Sequence, residues 1–247
     1  MKSLLQSINL TYVKAKIEIA GWYFDQFTKE YKTENCTFHI PKELTTRTFR
    51  GNFPLGYYEK EERFYLKRYL PKDASVLELG GCIGVVSCTA SKLLDDSRRH
   101  VVVEANPALI PWLKQNRDRN NLHFSIEHCL ISESPLNDFY VNPSIVSSSN
   151  KKKVGEKIQV KGKTIQELEQ HYQIQFDTLL MDIEGAEIHF LENNKSFLEQ
   201  INLIMFEIHN FDGIMTDEEA KRCEELLSNA GLKKEVEEGY FQIWKRP

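Results

Sequence analysis

Cysteines are few in this sequence, and none are spaced for a metal or redox motif. Five cysteines occur in 247 residues, and no two of them form a C-x-x-C pair. An odd number of scattered cysteines argues against a disulfide framework and against a thiolate zinc site. We therefore expect a protein of a reducing compartment, the cytoplasm.

Long apolar runs and a surplus of one charge are also missing. No stretch approaches the ~20 apolar residues of a membrane span, and Lys14, Lys16 and Glu18 interrupt any apolar core of a signal peptide. Basic residues number 32 and acidic residues 36, which gives a net charge of −4. This balance argues against a nucleic-acid binder and against a polybasic membrane-surface protein. We expect a soluble protein with neither partner.

Apolar residues do recur at helical spacing near the N-terminus. Steps of three and four residues connect Leu5, Ile8, Tyr12, Ala15, Ile19 and Trp22. The pattern predicts an amphipathic helix that packs on the body of the protein, with coverage of the active site or pairing in a homo-oligomer as alternatives. With the irregular segment that follows it, this helix forms a predicted extension over residues 1–60, and residues 61–247 form the main domain.

From Ser75 onward, short apolar strands alternate with helices. Such alternation predicts an α/β protein with a mostly parallel sheet and a ligand at the carboxyl ends of its strands. A capping box at Thr216 and Glu219 begins the last helix, which ends at Gly231 before a predicted hairpin. The predicted sheet strands are Ser75–Leu79, His100–Glu104, Leu122–His128, Phe176–Met181 and Leu203–Ile208. The helices between them are predicted over Val85–Leu94, from Pro107 to about Arg119, and from near Ala186.

The polar segment Asn142–Lys163 lies between predicted strands and contains runs of serine and lysine. Its composition predicts a solvated insertion loop, with a mobile substrate loop as the alternative.

A carboxylate and a glycine-rich turn follow the first of these strands. Gly80, Gly81 and Gly84 let the backbone approach a ligand closely and accept positive φ. Glu78 would repel a pyrophosphate but suits a ligand that carries positive charge, and the G-x-G-x-x-G spacing of dinucleotide-binding enzymes is missing. The turn, which includes Cys82, favours a cationic cofactor such as S-adenosylmethionine over a nicotinamide dinucleotide.

A second carboxylate, Glu104, ends the next strand. At this place a carboxylate accepts hydrogen bonds from the ribose hydroxyls of an adenosine. Ala105 and Asn106 follow it beside the expected adenosine, and His128 and Cys129 end the third strand where the adenine edge would lie. Two carboxylates on successive strands indicate a nucleoside-bearing cofactor.

These motifs resemble the FkbM family of class I methyltransferases. The resemblance covers about residues 58–209 and implies the Rossmann-like class I methyltransferase fold, with a mostly parallel seven-stranded sheet and a C-terminal antiparallel hairpin. It also implies S-adenosylmethionine as cofactor and, for most family members, O-methylation of sugars or secondary metabolites. It is carried by Glu78–Gly84 (ELGGCIG), Glu104–Pro107 (EANP), Asp182–Glu187 (DIEGAE) and Glu207–His209 (EIH).

Transfer to a hydroxyl requires a base near the methyl group. Asp182 ends the fourth strand, where the methyl group should face the acceptor, and is predicted to contact the cofactor as well. His209 ends the fifth strand, and its reference pKa of ~6.5 suits proton removal at neutral pH. The sequence leaves open which of the two is the base.

Other polar residues near these motifs have weaker signals. Glu59 is predicted to contact the substrate or the cofactor. Glu184 is either a substrate contact or a helix-opening carboxylate, whereas Glu187 and His189 are interpreted as ordinary helix residues. No metal is expected, although Asp182, Asn210 and Asp212 could form an all-oxygen Mg²⁺ site.

The sequence predicts an S-adenosylmethionine-dependent O-methyltransferase whose acceptor is a hydroxyl of a carbohydrate or glycoconjugate. A small secondary metabolite is the alternative acceptor. A non-catalytic cofactor-binding subunit is the alternative from another functional class.

Overall fold

The structure is a computed structural model that describes residues 2–28, 30–141, 155–210 and 214–247. The strands are β1 Tyr31–Thr33, β2 Cys36–Phe38, β3 Val76–Leu79, β4 His100–Val103, β5 Ser125–Glu127, β6 Leu130–Ile131, β7 Leu136–Val141, β8 Glu156–Lys163, β9 Thr178–Met181, β10 Leu203–Glu207, β11 Lys233–Glu238 and β12 Phe241–Lys245. The helices are α1 Lys2–Phe27, α2 Arg47–Gly51, α3 Lys60–Tyr69, α4 Val85–Leu93, α5 Ile110–Arg119, α6 Ile165–Tyr172, α7 Glu187–Asn193, α8 Lys195–Gln200 and α9 Asp217–Asn229.

Seven strands form the central sheet in the order β11-β12-β10-β9-β3-β4-β5. The pairs from β10 through β5 are parallel, whereas β12 is antiparallel to both of its neighbours. All residues of β3, β4 and β9 are buried, as expected for strands covered on both faces. The predicted Rossmann-like α/β fold with a C-terminal hairpin is confirmed.

The chain order reverses between β3 and β9. From β3 the chain continues outward to β4 and β5, and from β9 it continues to β10 on the other side. Such a switch point opens a crevice at the carboxyl ends of the strands. This places the turns after Leu79, Val103 and Met181 side by side.

Gly80 begins the turn after β3 with a φ of +91°, and a Cβ atom there would lie 1.8 Å from the carbonyl oxygen of Asp182. Its amide also donates to the carbonyl of Val103 at 3.0 Å. The turn is therefore fixed to the ends of β4 and β9 at backbone contact distance.

The N-terminal helix α1 packs on the body, but through a face that the sequence pattern did not indicate. Gly21 lies against the carbonyl of Arg47 and Gly51 against the carbonyl of Ile17, so α1 and α2 cross with almost no side chain between them. Phe24 of α1 is buried in an aromatic core that continues into the main domain. The boundary assigned at residue 60 stays a prediction.

The part of the predicted apolar stripe of α1 whose side chains are described is exposed instead of packed. Tyr12, Ile19 and Trp22 are 67, 68 and 48% exposed. The glycines explain this difference, because they let α2 approach the opposite face of α1 more closely than any stripe of large side chains would permit.

Two further elements differ from the sequence prediction. Helix α5 begins at Ile110, since the Asn106 side chain accepts from the amide of Ala108 and forms a turn where Pro107 was expected to open the helix. The single helix predicted from Ala186 is two helices, α7 and α8, separated at Asn194.

The polar segment after β7 is only partly a loop. Residues 142–154 lie outside the described residues, so the mobile-loop alternative stays a prediction. Residues Glu156–Lys163 form β8, which pairs with both β7 and β6, and Val160 is 1% exposed. The solvated-loop prediction was wrong for this half, because alternating apolar residues bury one face of a strand.

Among the described residues, none of the helices has the length and apolar content that crossing a bilayer requires.

Replacement of Gly80 by alanine should destabilise the protein more than the same change at Gly239. Both residues have positive φ, but nothing lies within 4 Å of a Cβ at Gly239. We expect Gly239→Ala to lower the free energy of unfolding by ~1–2 kcal/mol and Gly80→Ala by about 1–3 kcal/mol more, because of the added clash. Denaturant unfolding measures both values. Equal losses would contradict the close contact with Asp182.

Candidate active site

A pocket opens at the switch point, where the turns after β3, β4 and β9 meet. The short sheet of β6, β7 and β8 closes the far side with Ile131 and Phe139. Eight of the predicted site residues line this pocket: Glu59, Gly80, Cys82, Glu104, Ala105, Cys129, Asp182 and Glu184.

Glu104 joins two of these turns. One carboxylate oxygen accepts from the amide of Cys82 at 2.7 Å, and the other accepts from the amide of Asn106 at 2.7 Å. Burial raises the pKa of Glu104 to about 7, although the backbone donors oppose the shift. Each oxygen keeps a second lone pair, so the carboxylate can still accept from a vicinal diol in the pocket.

Glu78 lies behind the turn, and its side chain contacts protein groups. It is 2% exposed, Oε1 accepts from the Ser87 hydroxyl at 2.5 Å, and Oε2 lies 2.9 Å from Nε2 of His100. Glu78 also borders a smaller cavity next to the main pocket. Contact of this carboxylate with a cationic ligand stays a prediction.

Several predicted cofactor residues are near the pocket without lining it. A Cβ at Gly81 would lie 2.4 Å from Val102, and one at Gly84 would lie 2.7 Å from Leu113. These two glycines therefore permit packing of the helix and strand. Asn106 is buried beneath the Glu104 carboxylate, and His128 is exposed with Nε2 3.1 Å from the carbonyl of Ala105.

Strained backbone is concentrated at the pocket. Seven described residues other than glycine have positive φ, and three of them line the pocket: Glu59 at 49°, Cys82 at 46° and Glu184 at 52°. Such conformations cost on the order of 1–3 kcal/mol each and occur preferentially at functional sites. Glu59 immediately precedes α3, whereas Cys82 and Glu184 lie in the turns after β3 and β9. All three residues border the crevice.

His209 is buried behind the pocket wall, and its imidazole lies among the carboxylates of Asp182, Glu184, Glu187 and Glu207. Its Nδ1 lies 2.7 Å from Oε1 of Glu187, which is 0% exposed and also accepts from the amide of Gly185. Its Nε2 lies 3.4 Å from Oδ1 of Asp182 and 3.6 Å from Oε2 of Glu207. From the sequence, Glu187 was interpreted as an ordinary helix-opening residue. In the structure its carboxylate contacts the imidazole of His209.

These carboxylates change the proton affinities of the cluster. Burial alone would lower the pKa of His209, but the hydrogen bond to Glu187 and the charge of Asp182 outweigh it and raise the pKa to about 9. Desolvation and the charge of Glu207 raise the pKa of Asp182 well above its ordinary value. The same two causes raise the pKa of Glu59 to about 7. In this cluster the carboxylates of Asp182, Glu187 and Glu207 outnumber the imidazole of His209.

The all-oxygen trio suggested by the sequence stays a prediction. The Asn210 amide donates to the Asp217 carboxylate at 3.3 Å. Asp212 lies outside the described residues.

Comparison with known proteins identifies the family. The Methyltransferase FkbM domain matches residues 78–233, more than half of the chain. This chain belongs to the FkbM methyltransferase family. It is therefore an S-adenosylmethionine-dependent methyltransferase, and the crevice at the switch point is where the Rossmann-like fold binds such a cofactor. Comparison with curated proteins gives no significant match.

Solved structures share the fold at low sequence identity. A precorrin-6y C5,15-methyltransferase from Geobacter metallireducens has 13% identity and a TM-score of 0.50, with 85% of this chain and 94% of that chain covered. An O-methyltransferase from Bacillus cereus, solved with S-adenosylhomocysteine, has 13% identity and a TM-score of 0.43, with 74 and 78% covered. The likeness to the first of these structures concerns the fold alone.

Sequence reasoning missed the apolar walls of this pocket. Phe139 and Ile131 reach it from strands that no motif marks, and Phe190 reaches it from α7. His189, interpreted as a surface residue, is exposed and also lies at the pocket rim. The run of strand-favouring residues Phe139–Val141 was the available signal for the first wall.

Replacement of Glu104 by alanine should weaken S-adenosylmethionine binding at least ~10-fold, a loss of about 1.4 kcal/mol, because the ribose hydroxyls would lose their acceptor. Glu133→Ala is the matched control, since Glu133 is an exposed glutamate outside the pocket. Isothermal calorimetry measures both affinities. Unchanged affinity in Glu104→Ala would refute the placement of the ribose.

Proposed function

We propose that this methyltransferase transfers the methyl group to a hydroxyl of a carbohydrate or glycoconjugate. The observation that supports the proposal is the carboxylate and imidazole cluster of Asp182 and His209 beside the pocket. A sugar hydroxyl is a poor nucleophile until its proton is removed, and the carboxylate of Asp182, beside the imidazole of His209, is an acceptor of such a proton.

The reaction needs alignment more than activation. The sulfonium of S-adenosylmethionine is already an activated donor, so the protein must hold the acceptor oxygen in line with the S–CH₃ bond. Positioning of this kind supplies up to ~7–11 kcal/mol. As the C–O bond forms, the C–S bond breaks, its electron pair stays on sulfur, and the hydroxyl proton leaves.

We expect Asp182 to meet the acceptor directly. Its side chain is 38% exposed and lines the main pocket, whereas the His209 side chain is 4% exposed and lies behind it. Nε2 of His209 is 3.4 Å from Oδ1 of Asp182, so the protonation states of the two groups are coupled. In this arrangement Asp182 contacts the hydroxyl, and His209, held by Glu187, orients Asp182 and compensates its charge.

Carboxylates also suit a polyhydroxylated acceptor. Glu59 and Glu184 line the same pocket, and each can accept hydrogen bonds from neighbouring hydroxyls. A small secondary metabolite remains the alternative acceptor, and the apolar wall of Ile131 and Phe139 is the feature that favours it. A non-catalytic cofactor-binding subunit would have no use for the buried pair of Glu187 and His209.

We also propose a homo-oligomer through α1 and a location in the cytoplasm. The exposed Tyr12, Ile19 and Trp22 support the first, and light scattering of the purified protein tests it. The five cysteines all lie among the described residues and none of them forms a disulfide, which supports a reducing compartment.

Replacement of His209 by alanine should lower kcat by ~10²-fold or more with cofactor affinity retained, because Asp182 loses the group that orients it for proton removal. Asp182→Asn should lower kcat at least as much. His123→Ala is the control, since His123 is exposed and lies outside the pocket. Radiolabel transfer measures kcat and calorimetry measures affinity. A near-normal kcat in His209→Ala would assign the proton to Asp182 alone.

A screen of acceptors tests the substrate class. Purified protein and labelled S-adenosylmethionine are incubated with monosaccharides, glycans and phenolic metabolites. Label in a sugar methyl ether supports the proposal. Label in the metabolites alone would contradict it.

A further inference from the structure

Three side chains at the ends of β9 and β10 have the arrangement of metal ligands. One donor atom each from Asp182, Glu207 and His209 lies within 4.8 Å of the other two. Nε2 of His209 is 3.4 Å from the Asp182 oxygen and 3.6 Å from the Glu207 oxygen. A cation at ~2.0–2.2 Å from each donor fits between atoms at these separations.

The histidine is oriented as a ligand. Nδ1 lies 2.7 Å from the buried carboxylate of Glu187, and a carboxylate can only accept, so Nδ1 carries a hydrogen. Nε2 is thereby directed at Asp182 and Glu207. Metal-bound histidines commonly have such a carboxylate on the other ring nitrogen, where it fixes the ring and raises its basicity.

Uncommitted oxygens point to a cation at this place. Asp182 Oδ1 is a buried atom that accepts no hydrogen bond from any described residue. Glu62 is 7% exposed, its Oε1 likewise has no such partner, and it lines the smaller cavity together with Asp182 and Glu207. Buried oxygens without donors are costly, and a bound cation would satisfy the charge that they share.

We propose that Asp182, Glu207 and His209 bind a divalent first-row cation of the Mn²⁺ type. One imidazole nitrogen and two carboxylate oxygens are donors that suit such an ion. This set contains no thiolate, the type of ligand that selects zinc. The site lies beside the proposed acceptor position, and three protein ligands leave coordination positions open. These positions would take the acceptor oxygen, and neighbouring hydroxyls of a carbohydrate could chelate the ion. This role rests on the proposed function, whereas binding of the ion does not.

Titration with Mn²⁺ tests the site on protein first treated with EDTA and dialysed. The loss of the electron paramagnetic resonance signal of free Mn²⁺ measures binding. We expect a single site per chain, weakened on the order of tenfold or more in Glu207→Gln and ~10–100-fold in Glu187→Gln. Glu218→Gln is the matched control, because Glu218 is exposed on α9 and lies outside the cluster.

Thermal unfolding separates loss of the ligand from loss of the fold. Mn²⁺ should raise the Tm of the unmodified protein and of Glu218→Gln but not that of Glu207→Gln. A cooperative unfolding transition of Glu207→Gln without the ion should show that this variant folds. No Mn²⁺ binding, or equal binding by Glu207→Gln and Glu218→Gln, would overturn the metal site. Methyl transfer that persists in EDTA would also overturn its catalytic role but would leave the proposed O-methyltransferase function standing.

Discussion

The contact between the Gly80 turn and the end of β9 is the constraint on which the site depends. Only a residue without a side chain can lie this close to the carbonyl of Asp182. The contact brings the turn after β3, where the amide of Cys82 donates to the Glu104 carboxylate, next to the turn after β9, with Asp182 and Glu184. If the cofactor binds at Glu104 and the acceptor at Asp182, as proposed, one backbone contact separates donor and acceptor, which is the proximity that methyl transfer requires.

Charge is the second organising feature. Glu59, Asp182 and Glu207 share a crevice, and burial together with their mutual repulsion raises the pKa of the first two. An arrangement of this kind costs stability in the unliganded protein and is relieved when a cation enters. The sulfonium and ammonium of the cofactor bring such charge, and the proposed divalent ion would add more. The cluster thus favours cationic ligands before any individual contact is considered.

Much of the fold and part of the site could be predicted from the sequence. Motifs at strand ends located Glu104, Asp182 and His209, because parallel strands bring their carboxyl ends to one edge. The buried role of Glu187 could not be predicted, since a carboxylate at a helix start is favourable in any case. The packed face of α1 was also missed, because close contact at Gly21 replaces the apolar stripe that periodicity detects. Pocket walls from β6 and β7 carry no motif at all.

A crystal structure of the protein with S-adenosylhomocysteine tests the central claim most directly. We predict that both ribose hydroxyls lie within hydrogen-bonding distance of the Glu104 carboxylate and that the sulfur faces Asp182 across the Gly80 turn. The acceptor side of the sulfur should then open toward the cluster of Asp182 and His209. A ribose bound away from Glu104, or a sulfur directed away from Asp182, would contradict the account.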